Sequence, residues 1–234
     1  MLNSDTTAKA LVMYMNSRTS RLDLTSHDVV ATATDGEFAL GAGRAFSQED
    51  KESLIDILLN VESTIDFLNP RILVKSRTHL VWFNPPQVID VMFRDVSYKA
   101  PIPGLVYIAL AGGRLRCFAY KGKGRPHQET KLYQVPLGNV YSNGSFCTGN
   151  VQTPKDHSVA SIEGWENFVL RCTNTHKGGV TVIRGADTTE AIIEFYKDLS
   201  ESNAKAFPAA KLVPLMNGRV HVGLLEAVCK DATQ

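Results

Sequence analysis

The sequence is poor in several features that would settle its class at a glance. Only four cysteines occur among 234 residues, at Cys117, Cys147, Cys172 and Cys229, and none forms a CxxC pair. Structural zinc sites draw on such pairs or on tight Cys/His clusters, so no metal centre and no small disulfide scaffold is expected. No apolar run approaches the roughly 20 residues of a membrane-spanning helix. There is no charge excess of either sign: 25 Lys plus Arg against 24 Asp plus Glu leave a net charge of +1. A protein built to hold a phosphate backbone normally carries a basic surplus, which argues against nucleic acid as a partner. The start, Met1 to Lys9, is polar and is followed only by the short run Ala10–Met15. That is too short and too weakly basic for a secretory signal, so a cytoplasmic setting with reduced thiols is expected. Two strings, Gly41-Ala-Gly43 and Gly122-Lys-Gly124, lack the third glycine of a dinucleotide fingerprint, with Phe46 and His127 in its place. Neither string is therefore expected to be a dinucleotide site. The basic loop Lys121–Arg125 has no aromatic residues interleaved and reads as a solvated hairpin tip.

What is present is an ordinary folded composition, 44% hydrophobic and 21% charged, at a length of one large domain or two small ones. The first ninety or so residues read as a small α+β unit. Ala10–Met15 is a strand, and Asp28–Thr34 and Glu37–Leu40 flank the hairpin turn Asp35-Gly36. Ser47 caps a helix that runs to about Asn60 and buries Leu54, Ile55, Leu58 and Leu59. Arg71–Ser76 and His79–Phe83 are two further strands. Asn84-Pro85-Pro86 breaks the pattern and marks a boundary near residue 90.

The second part, 91–234, is led in by the strand Val88–Met92 and the turn Pro101–Gly104. Leu105–Leu110, Leu115–Tyr120 and Lys131–Leu137 then form an antiparallel meander. Helices are expected at Ser161–Leu170, burying Ile162, Trp165, Phe168 and Val169, and at Thr188–Ser200, burying Ile192, Ile193, Tyr196 and Leu199. Gly179–Arg184 reads as one more short strand. The whole is α+β.

Between the meander and these helices lies an irregular segment, 138–157. A long structureless stretch inside a domain is usually functional. Asn143-Gly144 demands a tight turn with positive φ. Cys147 follows three residues later, and Gly149 follows it. A thiol between Gly144 and Gly149 is presented where another backbone can approach, unlike Cys117, which sits in an alternating strand pattern. Asn139 lies eight residues upstream across the turn. Its amide either donates to negative charge developing on a carbonyl attacked by Cys147 or ties the loop to backbone groups.

Residues 139–147, Asn-Val-Tyr-Ser-Asn-Gly-Ser-Phe-Cys, resemble the active-site stretch of E2 ubiquitin-conjugating enzymes. In that family a His-Pro-Asn triplet is followed by an aliphatic residue, three variable positions, a Gly, two more positions and the catalytic Cys. Asn139, Val140, Gly144 and Cys147 take those places. The series Gly104–Tyr107, Thr130–Tyr133 and 139–149 is most similar to a prokaryotic E2-like branch, protein B of the PRTRC cassettes. The resemblance implies a UBC-like domain, with a meander and flanking helices, preceded by an N-terminal extension. The position of the small α+β unit as an extra module is the one reason to expect that it docks a partner. It implies a thioester between Cys147 and a ubiquitin-like protein delivered by a ThiF/E1-like activating enzyme, with a JAB-type protease in the same pathway. No metal or cofactor enters that step. Leu137-Gly138 replaces the family's His-Pro. The acidic group that helps deprotonate the incoming lysine has no motif here; Asp156 is the candidate.

Two rival readings use the same residues. A cysteine hydrolase or acyltransferase would pair Cys147 with a histidine base, His157 or His176. A non-catalytic scaffold would keep an E2-like fold without the chemistry.

Overall fold

The computed structural model describes residues 8–19, 21–34, 36–59 and 69–229. The chain divides into two compact units, Met1–Phe67 and Leu68–Gln234. The sequence reading put this division near residue 90. It falls earlier because the strands over 72–84 hydrogen-bond into the sheet of the second unit.

The first unit contains a three-stranded antiparallel sheet of β1 (Lys9–Asn16), β2 (Arg21–Ala31) and β3 (Phe38–Ala45) in sequential order, with α1 (Gln48–Leu59) after it. The turn residue Asp35 lies outside the described residues. Ser47 starts α1 as expected: its Oγ accepts from the Asp50 backbone N–H at 3.1 Å, and the Asp50 carboxylate accepts from the Ser47 N–H at 2.9 Å. Arg44 grips the same carboxylate at 2.5 and 2.7 Å and, with Ser47, holds it well below the usual carboxylate range. Leu54 and Ile55 are half-buried, whereas Leu58, expected inside, is exposed. The Leu59 side chain lies outside the described residues.

The second unit is organised around a five-stranded antiparallel sheet. Its members are β4 (Ile72–Lys75), β5 (His79–Asn84), β8 (Gly104–Leu110), β9 (Arg114–Tyr120) and β10 (Leu132–Tyr133), in the order β10-β9-β8-β5-β4. Between β5 and β8 the chain leaves the sheet to make a separate hairpin of β6 (Gln87–Phe93) and β7 (Val96–Ile102). Strand β7 takes in Pro101, read from the sequence as part of a turn. Proline is tolerated there because β7 pairs with one neighbour only, so a strand position without an N–H costs no ladder bond.

Both faces of the sheet are covered, which explains why β8 is a continuous apolar run rather than an alternating one. One face carries Leu80, Trp82, Leu105, Tyr107 and Cys117 and packs against α2 (Ile162–Arg171) and α3 (Thr189–Glu201). The other carries Val81, Val106, Ile108, Phe118 and Leu132 and packs against Leu215, Val222 and the last helix, α4 (Leu224–Cys229). The helices follow their periodicity: α2 buries Ile162, Trp165, Phe168 and Val169, and α3 buries Ile192 and Tyr196. Thr188 caps α3 by accepting from the Ala191 N–H at 3.1 Å.

Two expected strands are shorter than read. In Lys131–Leu137 only Leu132 and Tyr133 pair with β9, because the next backbone groups are taken by the C-terminal segment. Gln134 N–H donates to the Val213 carbonyl at 2.9 Å, and Leu215 N–H to that of Leu132 at 2.9 Å. In Gly179–Arg184 only Ile183 makes bridges, to Ala186 and Leu212. The expected fold class, α+β with antiparallel sheets and few helices, is the one observed. No described helix is long and apolar enough to cross a membrane.

Candidate functional site

After β10 the chain folds into a small hairpin that carries the candidate nucleophile. Val140 and Phe146 form an antiparallel bridge; Cys147 N–H donates to the Asn139 carbonyl and Tyr141 N–H to that of Ser145, both at 2.8 Å. Gly144 closes the turn at φ +83°, its N–H on the Tyr141 carbonyl at 2.9 Å. A side chain at that position would also strike the Phe118 ring, 2.5 Å from the added carbon, so glycine is required twice over. The turn is tied to β9 through Cys117 N–H and the Gly144 carbonyl, 2.9 Å.

Side chains alternate across a hairpin, so this register sorts them into two faces. Val140 and Phe146 share the inner face. Val140 is fully buried, and Phe146 meets the Phe168 ring edge-on at 5.9 Å between centroids. The outer face therefore presents Asn139, Tyr141, Ser145 and Cys147 together. This is how a sequence with an ordinary apolar core places one cysteine at the surface. Cys147 is partly exposed, while Cys117 is fully buried with its thiol pushed up by burial. Cys172 is partly buried and also pushed up by desolvation, and Cys229 is exposed. All four are free thiols.

Asn139 sits in the left-handed region, φ +57°, which asparagine tolerates better than most residues. Its side chain is committed to the segment after α2. Nδ2 donates to the Thr173 carbonyl at 2.9 Å; Oδ1 accepts from the Thr175 N–H at 3.1 Å and the Thr175 hydroxyl at 3.0 Å. Its backbone N–H donates to the His176 carbonyl at 2.9 Å. The observed bonds are thus those of a loop tie. Asn139→Ala is expected to lose these side-chain bonds, together with a longer one from the His176 N–H to Oδ1 at 3.4 Å, and the left-handed preference, lowering stability by about 2–3 kcal/mol. That corresponds to a melting temperature lower by roughly 5–10 °C. Asn139→Gly should recover only the backbone share; equal melting of wild type and the alanine variant would show that these ties do not hold the loop.

The remaining candidates separate. His176 belongs to the site's rim. The Thr175 hydroxyl gives its proton to Asn139, so it accepts from His176 Nδ1–H at 2.9 Å, and the imidazole steadies the tie from behind. His157 is held elsewhere, its Nε2–H on the Arg77 carbonyl at 2.9 Å at the turn between β4 and β5. Asp156 uses its carboxylate to accept from the Ser158 N–H and hydroxyl, at 3.0 and 2.9 Å, which lowers its pKa. Its carbonyl receives the Trp165 indole N–H at 3.1 Å. Both residues shape the entry to α2. Gly149, φ +50°, has open space around it and serves the turn after Cys147. Among the described residues no three His, Cys, Asp or Glu side chains gather in a metal-binding group.

Three residues of the site were not singled out in the sequence. Asn174 docks the segment after α2 onto the end of β6, with its N–H and Nδ2 both on the Met92 carbonyl, at 2.8 and 2.9 Å. Gly178 backs directly onto Val140: an added Cβ would lie 1.6 Å from the Val140 carbonyl oxygen. This segment supports the hairpin from a separation of more than thirty residues, which no local pattern reveals. Tyr141 stands diagonal to Cys147 on the outer face, and hydrogen bonding to the Cys147 thiol raises the pKa of the phenol. The phenol therefore stays protonated beside the sulfur. The period-two pattern across Asn143-Gly144 was the signal that placed it there. Tyr141→Phe is expected to slow alkylation of Cys147 by iodoacetamide at pH 7.5 about two- to fivefold, the effect of one modest hydrogen bond to the thiolate. Peptide-resolved mass spectrometry separates Cys147 from Cys229; an unchanged rate would mean that the phenol does not assist the sulfur.

The family model described as prokaryotic E2 family D matches residues 51–215, a span that contains the whole hairpin, the segment that braces it and helices α2 and α3. No curated protein and no solved structure matches the chain.

Proposed function

The chain belongs to prokaryotic E2 family D, and from that premise we propose that it carries a ubiquitin-like protein as a thioester on Cys147 and passes it to an amine. The observation that supports this most is the hairpin register. It puts one partly exposed cysteine on an outer face with Asn139 and Tyr141 while a second segment holds the backbone rigid. The donor is the ubiquitin-like protein bound through its C-terminal carbonyl to the cysteine of a ThiF/E1-like enzyme. The Cys147 thiolate attacks that carbonyl carbon; the carbon–sulfur bond to the E1 breaks, and the E1 sulfur leaves as thiolate. An acceptor amine then attacks the new thioester, the bond to Cys147 breaks, and the proton shed by the amine is balanced by reprotonation of the sulfur.

Thiol exchange is close to thermoneutral and needs no dedicated base. This suits a site in which the observed bonds of His157 and His176 serve the scaffold. In this reading Tyr141 donates to the sulfur while it is anionic, Asn139 fixes the hairpin, and Gly144 and Gly149 shape it. The setting is the bacterial cytoplasm, within a cassette of the PRTRC type that also supplies a JAB-type protease. The first unit, with its own sheet and helix, docks the activating enzyme.

Incubating the protein with its neighbouring E1, the ubiquitin-like protein and ATP tests the proposal. A non-reducing gel should show one adduct of the summed mass that thiol reductant removes. No adduct, beside an E1 that is itself charged, would overturn it.

A further inference from the structure

Every carbonyl of the turn 141–144 is engaged. The Tyr141 carbonyl accepts from the Gly144 N–H and the Gly144 carbonyl from the Cys117 N–H, both at 2.9 Å. The two between them are held by side chains from the sheet and its continuation. Gln134 Nε2 donates to the Ser142 carbonyl at 3.1 Å, and Arg116 Nε to the Asn143 carbonyl at 2.8 Å. Arg116 also reaches the Ala227 carbonyl at 3.3 Å and lies over the Phe118 ring at 5.0 Å, so it serves several elements at once. Gln134 is different. It follows β10 directly and is only 5% exposed, and its backbone N–H goes to the Val213 carbonyl. Its side-chain nitrogen serves the turn, while its buried Oε1 meets no donor among the described residues. As packing, this amide is a poor choice. An amide oxygen buried without a donor costs at least as much as one ordinary hydrogen bond returns. Ser142 is an exposed residue, so its carbonyl can turn to water instead. A methionine would fill the same space without that cost.

What the amide does that a methionine would not is orient the peptide group just after Tyr141. That matters for a diagonal pair. Residues directly opposite each other on a hairpin stay close whatever its twist. Diagonal neighbours lie about 7–8 Å apart and meet only when the twist and a long side chain bring them together. Tyr141 and Cys147 are such a pair: the Cys147 backbone bonds to Asn139 and the Tyr141 backbone to Ser145. Yet the phenol is within hydrogen-bond reach of the thiol. We propose that Gln134 is a positioning residue for Cys147: by fixing the Ser142 carbonyl it sets the turn, and with it the reach of the Tyr141 phenol to the sulfur. For the transfer reaction this rests on the thioester reading of Cys147; for the alignment of phenol and sulfur it does not.

The test makes Gln134→Met and Tyr141→Phe singly and together. Gln134→Met should melt within about 3 °C of wild type. It should slow alkylation of Cys147 by iodoacetamide about two- to fivefold, the same loss as in Tyr141→Phe. The double variant should be no slower than either single one, because both remove the same contact. Magnetic resonance of isotope-labelled tyrosine gives a second readout, with the Tyr141 signal identified by its loss in Tyr141→Phe. The phenol should ionise at lower pH in Gln134→Met than in wild type, since hydrogen bonding to the thiol is what holds it up. A wild-type alkylation rate in either single variant, two effects that multiply in the double variant, or an unshifted phenol overturns the proposal. So does a larger melting loss, or failure to fold, in both Gln134→Met and Gln134→Leu, which would make the amide a part of the fold alone. Loading from the charged E1 should fall by the same factor in each variant; unchanged loading overturns the role in transfer. Absence of any adduct beside the expected alkylation pattern overturns the thioester reading and leaves the positioning in place.

Discussion

Cys147→Ala is expected to abolish the reductant-sensitive adduct completely, and Cys147→Ser to replace it with one that thiol reductant no longer removes and mild base does. The physical reason lies in the leaving group and the nucleophile. A thiolate forms near neutral pH and exchanges with thioesters, whereas a serine hydroxyl attacks far more slowly and the oxyester it forms resists attack by thiols. The other three thiols make the outcome diagnostic. Cys117 is fully buried, its thiol pushed up by desolvation, and Cys172 is partly buried with its thiol shifted the same way. Cys229 is exposed but sits at the last position of α4, away from any hairpin register. A reductant-labile adduct that survives Cys147→Ala would place the carrier at Cys229 or Cys172 and overturn the assignment.

Gly178→Ala is expected to destabilise the protein by about 3 kcal/mol and to lower its melting temperature by roughly 6–12 °C. A methyl group there would sit 1.6 Å from the Val140 carbonyl oxygen and 2.6 Å from its carbon. Neither side can yield cheaply. Val140 is fully buried and locked by the bridge to Phe146, while the segment holding Gly178 is pinned by Asn139 and Asn174. Whatever shift accommodates the methyl group moves Asn139 relative to Cys147, so formation of the thioester should fall with stability. The neighbouring Gly179→Ala is the control, because nothing lies within 4 Å of the added carbon. It should stay within about 0.5 kcal/mol of wild type. Equal stability of the two variants would mean that the segment after α2 does not press on the hairpin.

These two variants mark the two kinds of information in the molecule. The turn that precedes Cys147 was legible because local signals converge on it: a strand before and a turn dipeptide that only positive φ satisfies. The strands β5, β8 and β9 and the helices α2 and α3 were legible for the same reason, since apolar periodicity reports which face is buried whatever lies against it. Leu58 was misjudged because periodicity says which side of a helix is apolar but not whether anything covers that side. Strand β10 stopped short because the segment at 213–222 competes for its hydrogen bonds, a competition across some eighty residues that no local pattern records.

The sequence by itself determined the α+β class, the family-like spacing around Cys147 and the requirement for glycine at the turn, because each depends on residues within one or two turns of chain. Tertiary structure decided the rest. It set the division of the chain between Phe67 and Leu68, the role of Asn139 as a tie to Thr173 and Thr175, and the contact of Gly178 with Val140. Each of these is a meeting of segments far apart in sequence, where close packing fixes the neighbour and the local pattern carries no trace of it.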